Sequence, residues 1–353
     1  MSLGRRLAAA AVAGLVVVLG AAAFVTWRGP RPGVRATLSV AAALATEGGG
    51  FTRVTAPRVF EFPRDHGAHP GYRMEWWYVT GNVHDAEGRP FGFQVTFFRI
   101  ALAALPAPRT SAWGTADVYM AHVALSDVAT GRFRAVERFS RAAQGLAGAH
   151  VAPLRVWLDD WSLEGEDSAA PPGMRLRATT DAIGIDLALR SLKPIVLQGE
   201  RGLSQKGPEA GNASYYYSLT RLRTAGTITV DGRAFAVEGA SWMDREWGTS
   251  ALGADQVGWD WFALQLDDGR DLMLYRLRRR DGSLDPFSSG TLVARDGTTT
   301  RLRAADASVE VLATWRSPRD GRVYPARWRV TVPAEGLDLA VTPRMADQEL
   351  ALA

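Results

Sequence analysis

The sequence predicts an all-β protein, built as a sandwich or a barrel. Between turns, apolar residues alternate with smaller or polar ones, as in the stretch 183–190, which is typical of strands. No long segment after residue 60 shows a helical period. Gly after Asp favours β-hairpins, because glycine adopts the positive φ that tight turns require. Such turn signals recur at Thr130-Gly131, Asp231-Gly232, Asp268-Gly269, Asp281-Gly282, Asp296-Gly297 and Asp320-Gly321.

The N-terminus predicts export. Residues 7–27 carry no charge and follow Arg5 and Arg6, so a basic segment precedes an apolar run of about 20 residues, enough to span a bilayer. A cleaved signal peptide and a retained anchor both fit, and each places the folded part outside the cytoplasm. We assign 1–28 to this segment and 29–56 to a tether. Membrane contact is expected only through residues 7–27.

Charge and cysteine content exclude several functions. Residues 1–49 hold five arginines and one glutamate, which accounts for the formal net charge of +4, so the rest of the chain is neutral. A phosphate-binding basic patch, and with it nucleic-acid binding, is therefore not predicted. The chain has no cysteine, which excludes disulfides, thiolate metal sites and a cysteine nucleophile. At 353 residues and 47% hydrophobic, the chain is long enough for two domains.

The stretch 72–99 predicts a hairpin that carries the first aromatic cluster. Glu75 is followed directly by Trp76, Trp77 and Tyr78 at the start of a strand. Because side chains alternate along a strand, Glu75 and Trp77 point to one face and Trp76 and Tyr78 to the other. These rings either fill a core or line a pocket. We take Glu75 as a candidate catalytic acid and Trp76 and Trp77 as candidate ligand-binding residues.

A second aromatic cluster spans 241–248 and 258–262. A carboxyl beside indole rings in a dry pocket has a raised pKa and can act as a general acid. Asp244 is the candidate for that role. The alternative is that Asp244 pairs with Arg245 or another arginine while the tryptophans fill a core. The candidate ligand-binding residues of this cluster are Trp242, Trp247, Trp259 and Trp261.

Tyrosines and a histidine complete the candidate set. In the run 215–217, Tyr215 and Tyr217 share one strand face, where their hydroxyls reach a pocket or its rim. We take Tyr217 as a candidate catalytic residue and Tyr215 as ligand-binding, with ordinary packing as the alternative. His122 lies mid-strand and is either a further ligand-binding residue or an interior histidine with a satisfied hydrogen bond.

No metal or cofactor is predicted. Asp65, His66 and His69 share one loop, but a third ligand at a metal-binding spacing is missing from the sequence. The chain has no phosphate-binding loop, no dinucleotide fingerprint and no Gly-x-Ser-x-Gly elbow. Any chemistry would therefore be cofactor-free.

An internal similarity suggests two domains. Between residues 77 and 99, a tryptophan begins a strand, an acidic turn with Gly-Arg follows, and a second strand ends at an arginine. The same order is found between residues 261 and 276. Either two related β-domains lie in tandem or any hairpin of an arginine-rich chain would look alike. On the first interpretation, we place the domains at 57–238 and 239–353.

Several motifs in order carry a family resemblance: EWWYVTGN, GNASYYYS, WMDREWG and GWDWFALQLDDGR. From Phe62 to the C-terminus, the chain resembles the AttH-like and carotenoid 1,2-hydratase family. The resemblance implies two tandem lipocalin-like β-barrel domains with a ligand cavity. It is closer to the exported AttH-like branch, whose members resemble companions of ABC-type export systems.

The resemblance also implies a site. In the hydratases, a His-x-Trp pair and a later Tyr-x-Asp pair are implicated in protonating an alkene. Asp244 matches the aspartate, whereas Trp242 stands at the tyrosine position. We therefore expect an exported lipocalin-like protein that binds an apolar, isoprenoid or lipid-like ligand at the cell envelope. The alternatives are a hydratase, isomerase or cyclase acting on an isoprenoid-like olefin through Asp244, and a structural or assembly role.

Overall fold

Antiparallel strands make up nearly all the regular structure in the computed structural model, which describes residues 49–105, 110–166, 171–249 and 252–350. Three short 3-10 helices, Arg64–His66, Ala304–Asp306 and Pro333–Glu335, are the helical elements of these ranges. The predicted all-β fold is confirmed. The strands are β1 Met74–His84, β2 Pro90–Ala101, β3 Asp117–Asp127, β4 Arg132–Arg141, β5 Ala147–His150, β6 Arg155–Leu158, β7 Trp161–Gly165, β8 Met174–Thr179, β9 Ile183–Ser191, β10 Val196–Leu197, β11 Leu203–Gln205, β12 Ala213–Val230, β13 Arg233–Gly248, β14 Gln256–Gln265, β15 Asp271–Arg279, β16 Ser289–Val293, β17 Thr299–Arg303, β18 Ser308–Arg316, β19 Val323–Val332 and β20 Leu337–Val341.

The Asp-Gly turn signals mark real hairpins. Asp231 and Gly232 join β12 to β13 with φ of 50° and 79°, the left-handed conformation that a two-residue hairpin turn needs. A glycine accepts this backbone without a steric penalty, which is why the Asp-Gly pair predicts the turn.

The largest sheet has thirteen strands and is nearly closed. Its main path runs β4-β3-β2-β1-β13-β12-β9-β8-β7-β6-β5, with β10 and β11 pairing to β12. The guanidinium of Arg138 in the end strand β4 lies 4.2 Å from the ring centre of Trp161 in β7, the third strand from the other end of the path. The sheet thus curls into a barrel.

Apolar side chains fill the interior of this barrel. They come from alternate positions along each strand, as the two-residue period predicts. Trp161 and Leu187, for example, are fully buried. The central members of this core are Trp77, Val79, Val95, Phe97, Val123, Leu158, Trp161, Leu163, Leu176, Ile185, Leu187, Leu219 and Met243.

Two smaller sheets follow in the chain. One has the order β14-β15-β16-β17 and the other the order β18-β19-β20. Phe262, Leu272 and Val330 are buried in a core shared by these two sheets. On its other side, the four-stranded sheet packs against the outer face of the barrel, where Tyr216 and Trp242 meet Met273, among other residues. The contact between these two faces frames the site described below.

The predicted domain division stays a prediction. Residues 49–350 belong to one compact unit, and the continuous strand β13 contains residues 238 and 239, where the boundary was placed. Residues 1–48, with the predicted signal or anchor and most of the tether, lie outside the described ranges. In the part of the chain that is described, no helix is both long and apolar enough to cross a membrane.

Candidate functional site

A pocket of about 350 Å³ lies between the outer face of the barrel and the four-stranded sheet. Its walls are mostly apolar and aromatic, with a small group of polar side chains, which is the usual composition of a small-molecule site. The lining residues are Met74, Trp76, Tyr78, Gln94, Thr96, Phe98, Lys206, Ser214, Tyr216, Asp244, Glu246, Gly248, Leu252, Trp259, Trp261, Tyr275 and Leu277.

Strand alternation explains which side chains enter this pocket. In β1, Trp76 and Tyr78 face the pocket, whereas Glu75 and Trp77 face away from it, as the sequence predicts. In β13, which pairs with β1, Asp244 lies opposite Tyr78 and Glu246 lies opposite Trp76. The ladder therefore sets both carboxyls beside aromatic rings on one surface.

Asp244 is the acid with the most unusual environment. Its side chain is 4% exposed, and its Oδ1 accepts hydrogen bonds from the Ser218 hydroxyl at 2.5 Å and the Trp242 indole at 2.7 Å. Burial disfavours the charged form and outweighs these donors, so the pKa of Asp244 rises from 3.8 to about 7. A carboxyl that is half protonated near neutral pH can donate a proton to a bound ligand.

Tyr216 connects Asp244 to the opposite wall of the pocket. Its hydroxyl forms a hydrogen bond with Asp244 and accepts one from the indole of Trp261 at 3.2 Å. The Trp261 ring in turn meets Tyr78 edge-on at 5.3 Å and lies near Trp242 at 6.4 Å. These contacts fix the rings around the acid, and ring faces stabilise a positive charge that develops beside them.

Glu246 and Lys206 form the second polar group of the pocket. The Nζ of Lys206 lies 3.3 Å from Oε1 of Glu246, which also accepts a hydrogen bond from Ser214. The ammonium lies 4.3 Å from the ring centre of Tyr275. Burial alone would lower the pKa of Lys206, but the adjacent Glu246 raises it, so the lysine stays charged.

Glu75 belongs to an ionic cluster away from the pocket. It is fully buried and is bound by the guanidinium groups of Arg99 and Arg245 and by the backbone and ring of His69. Although burial favours the neutral acid, the two arginines hold the pKa of Glu75 well below its usual range. Trp77 lies beside the same cluster, and the guanidinium carbon of Arg245 is 3.9 Å from its ring centre.

Tyr215, Tyr217 and Trp247 lie in an aromatic cluster on the same side as Glu75. The Tyr217 hydroxyl forms a 2.6 Å hydrogen bond with Nδ1 of His66, and Tyr215 donates to the carbonyl of Ala56 at 2.9 Å. The His69 ring stacks on Trp247 at 3.9 Å. Burial lowers the pKa of His66 to about 4, so this histidine is neutral at physiological pH.

The remaining candidates divide between the pocket and its surroundings. Trp259 lines the pocket and is 41% exposed at its edge. Trp242 does not line the pocket but packs behind it, where its indole donates to Asp244 and its ring lies near Trp261. His122 lies outside, with its Nε2 hydrogen-bonded to Glu137 at 2.8 Å. Among the described residues, no group of three or more carboxylates and histidines is arranged to hold a metal ion.

Of the candidates, the structure thus brings Asp244, Trp76, Trp259 and Trp261 together in one pocket. It places Glu75, Trp77, Tyr215, Tyr217, Trp247 and His122 elsewhere. The pocket also contains Tyr78, Tyr216, Lys206 and Glu246, which were not among the candidates. Alternation could have found Tyr78, which shares a face with Trp76, and Glu246, which shares one with Asp244.

Comparisons with known proteins agree with this fold. The AttH-like family model matches residues 53–353. A crystal structure of a putative AttH from Nitrosomonas europaea is 37% identical, with a TM-score of 0.73, and the match covers 84% of this chain and 89% of that one. The crystal structure of kievitone hydratase from Nectria haematococca is 16% identical, with a TM-score of 0.60 over 86% of this chain and 87% of that one, and shows the shared fold.

A curated relative gives a weaker sequence match. Kievitone hydratase from Fusarium solani subsp. phaseoli is 22% identical over 180 residues, which is 50% of this chain and 49% of the relative. The match thus spans about half the length of that relative. The family model covers most of the chain, and the AttH structure is matched over most of its own length. The chain belongs to the AttH-like family.

Proposed function

We propose that this protein is a cofactor-free acid–base enzyme of the hydratase, isomerase or cyclase type that acts on an apolar olefin. The pocket between the barrel and the four-stranded sheet would bind the olefin, and Asp244 would be the general acid. The observation that carries the proposal is the environment of Asp244. Its carboxyl lines an apolar pocket, has no arginine or lysine among its hydrogen-bond partners in the described residues, and has a pKa of about 7.

The reaction would begin with proton transfer. The protonated Asp244 donates its proton to one carbon of a double bond, and the carbon next to it becomes cationic. Trp76, Tyr78 and Trp261 present rings around this position, and their π-faces stabilise the cation. Addition of water with loss of a proton gives an alcohol, and loss of a neighbouring proton gives an isomer. Attack by a second double bond gives a ring that carries a new cation, which then loses a proton or takes up water with loss of a proton. Each outcome returns a proton for Asp244.

The relatives support this class of reaction. Kievitone hydratase is a hydratase by name, and its structure shares the fold of this chain. At 16% identity the similarity shows the shared fold alone, so we do not infer the same substrate for this chain.

Asp244→Asn tests the proposal. We would incubate the wild-type protein with a lipid extract in heavy water and follow the products by mass spectrometry. Wild type should incorporate deuterium into an apolar component, with or without the added mass of one water, and Asp244→Asn should not. Equal incorporation by both proteins would refute the role of Asp244.

Binding without catalysis is the second candidate function, favoured by the largely apolar and aromatic lining. On this account, the protein carries an isoprenoid or lipid-like ligand at the cell envelope. Wild type and Asp244→Asn would then retain the same ligand after purification, and neither would change it chemically. Organic extraction followed by mass spectrometry separates this outcome from turnover.

The location and the partner are also proposals. The apolar run 7–27 supports export to the periplasm, free or membrane-anchored, and the family resemblance supports an ABC-type export system as partner. A C-terminal reporter that is active only outside the cytoplasm would agree with export, and a reporter active only inside would refute it. Co-purification with the export system tests the partner.

A further inference from the structure

The polar end of the pocket restricts which apolar molecules fit. The chain has two lysines, and one of them, Lys206, reaches this largely apolar space. Its side chain is 19% exposed and meets the carboxylate of Glu246 at 3.3 Å. A charged pair is costly to remove from water, so a ligand that fills the pocket must replace the water around it.

Both members of the pair keep free hydrogen-bonding capacity. An ammonium has three donors, and in the described part of the chain no backbone carbonyl accepts from Nζ of Lys206. Oε1 of Glu246 accepts from Ser214 and faces Lys206, while Oε2 accepts no hydrogen bond from the described residues. A donor and an acceptor therefore remain side by side for a ligand.

We infer that the natural ligand is an apolar molecule that carries a neutral hydroxyl group, held between Lys206 and Glu246. The hydroxyl oxygen accepts a hydrogen bond from Nζ of Lys206, and its O–H donates to Oε2 of Glu246. This inference rests on the proposed function, because it assumes that the pocket binds the apolar part of the same molecule.

Two other ligand classes fit less well. A pure hydrocarbon would leave the remaining donors of the Lys206 ammonium and Oε2 of Glu246 without hydrogen bonds. A buried polar atom left unsatisfied is destabilising, more so when the group is charged. A carboxylate would place a second negative charge beside Glu246 and close to Asp244, and like charges at short range repel. A hydroxyl avoids both penalties, since it is neutral and both donates and accepts.

The spacing between Asp244 and Glu246 sets how far the ligand's hydroxyl lies from the carbon that Asp244 would protonate. Asp244 and Glu246 are two residues apart on one face of β13, so their Cα atoms are about 7 Å apart. A hydroxyl held by Glu246 therefore places carbons a few bonds away within reach of Asp244. The substrate class that fits both groups is therefore an unsaturated alcohol or phenol.

Binding of three matched probes tests this inference without knowledge of the natural ligand. The probes are 1-decanol, methyl decyl ether and decanoate, measured by calorimetry at pH 8, where decanoate is ionised. The ether oxygen accepts but cannot donate, so it loses the hydrogen bond to Glu246. We expect 1-decanol to bind about tenfold more tightly than the ether, because a hydrogen bond to a charged group changes affinity by about this factor. Decanoate should bind more weakly than 1-decanol.

Variants assign the effect to the pair. Glu246→Gln should remove most of the advantage of 1-decanol over the ether, and Lys206→Met should weaken both by about tenfold. Gln205→Met is the matched control, because Gln205 precedes Lys206, is exposed and does not line the pocket. It should bind all three probes as wild type does. Thermal melting of each variant checks that the protein is folded.

The outcomes separate this inference from the proposed function. If 1-decanol and the ether bind equally, or if decanoate binds at least as tightly as 1-decanol, the hydroxyl inference is wrong while the apolar pocket stands. Unchanged affinity of Lys206→Met for 1-decanol also contradicts it. If none of the probes binds to folded wild type, the apolar pocket itself is refuted, and the inference falls with it.

Discussion

Asp244 and Arg245 are neighbours in strand β13, but they face opposite sides of the barrel wall and share no ion pair. Arg245 is fully buried with Glu75, whereas Asp244 lines the pocket and is hydrogen-bonded to Ser218 and Trp242. The sequence left open whether Asp244 pairs with an arginine as part of the scaffold. The geometry assigns that scaffold role to Glu75 and leaves Asp244 with a raised pKa.

This arrangement predicts an unusual dependence of stability on pH. The pKa of Asp244 is about 7 in the folded protein, whereas an unperturbed aspartate, as in the unfolded chain, has a pKa of 3.8. The folded state therefore binds this proton more tightly than the unfolded state does. Protonation of Asp244 therefore stabilises the folded state fully below about pH 4, and this stabilisation is lost as the pH rises to about 7. Relative to Asp244→Asn, wild type should lose on the order of 3–4 kcal/mol of unfolding free energy across this range.

Denaturant unfolding of both proteins at several pH values measures this difference. The comparison with Asp244→Asn cancels other carboxyls, such as Glu75, whose lowered pKa acts in the opposite direction. A difference that does not change between pH 4 and pH 7 would mean that Asp244 titrates as an ordinary carboxyl.

Tyr216 should tune the acidity of Asp244. Its hydrogen bond stabilises the charged carboxylate and so lowers the pKa of Asp244 from where burial alone would place it. Tyr216→Phe removes that bond, and the ionisation of Asp244 should move to higher pH. Infrared spectroscopy of the carboxyl during a pH titration measures this midpoint.

Tyr217→Phe is the matched control for that experiment. Tyr217 is the next residue on the strand, but its hydroxyl bonds to His66 on the other face. The loss of that hydrogen bond should destabilise the protein by about 1 kcal/mol and leave the midpoint of Asp244 unchanged. A shift of the midpoint in Tyr217→Phe equal to that in Tyr216→Phe would argue against a specific bond from Tyr216.

Glu75 should prove structural. Glu75→Gln leaves Arg99 and Arg245 buried without their shared carboxylate, and breaking a buried pair from one side destabilises by about 3–5 kcal/mol. Glu87→Gln, at an exposed position in the next turn, should change the free energy of unfolding very little. Thermal and denaturant unfolding give these values, and a Glu75→Gln protein as stable as wild type would contradict the ionic cluster.

Trp259 should contribute to ligand binding more than to stability. It lines the pocket but is 41% exposed, so Trp259→Ala removes less buried apolar surface than truncation of a fully buried tryptophan would. The cost in unfolding free energy is correspondingly small. Affinity for 1-decanol, measured by calorimetry, should fall about tenfold, because the ring covers apolar ligand surface. Trp113→Ala, at a 57% exposed tryptophan that does not line the pocket, should bind like wild type. Equal losses in both variants would place the ligand elsewhere.

The sequence predicted local features well. The Asp-Gly turns and the two-residue period gave the all-β class, because both depend on neighbouring residues alone. Alternation placed Trp76 and Glu75 on opposite faces correctly, and the aromatic setting of Asp244 indicated the acid that the pocket contains. These features follow from strand geometry, which needs no knowledge of tertiary packing.

Features that depend on packing between distant segments were missed. Both faces of β12 around the tyrosine run are buried, one by the aromatic cluster and one by the pocket, so the sequence could not show that Tyr216 rather than Tyr217 lines the pocket. Lys206 follows the short strand β11 in a polar segment, where nothing local marks it. It enters the pocket because the fold brings Glu246 of β13 and Tyr275 of β15 beside its ammonium.

The ionisation of the Asp244 carboxyl in the wild-type protein tests the central claim most directly. The infrared difference between wild type and Asp244→Asn isolates the signal of this one group, and a titration gives its midpoint. A buried acid in an apolar pocket should show a protonated carboxyl at pH 6 and a midpoint near pH 7. A midpoint near pH 4 would show that Asp244 is an ordinary solvated or ion-paired carboxylate, and the general-acid mechanism would be contradicted.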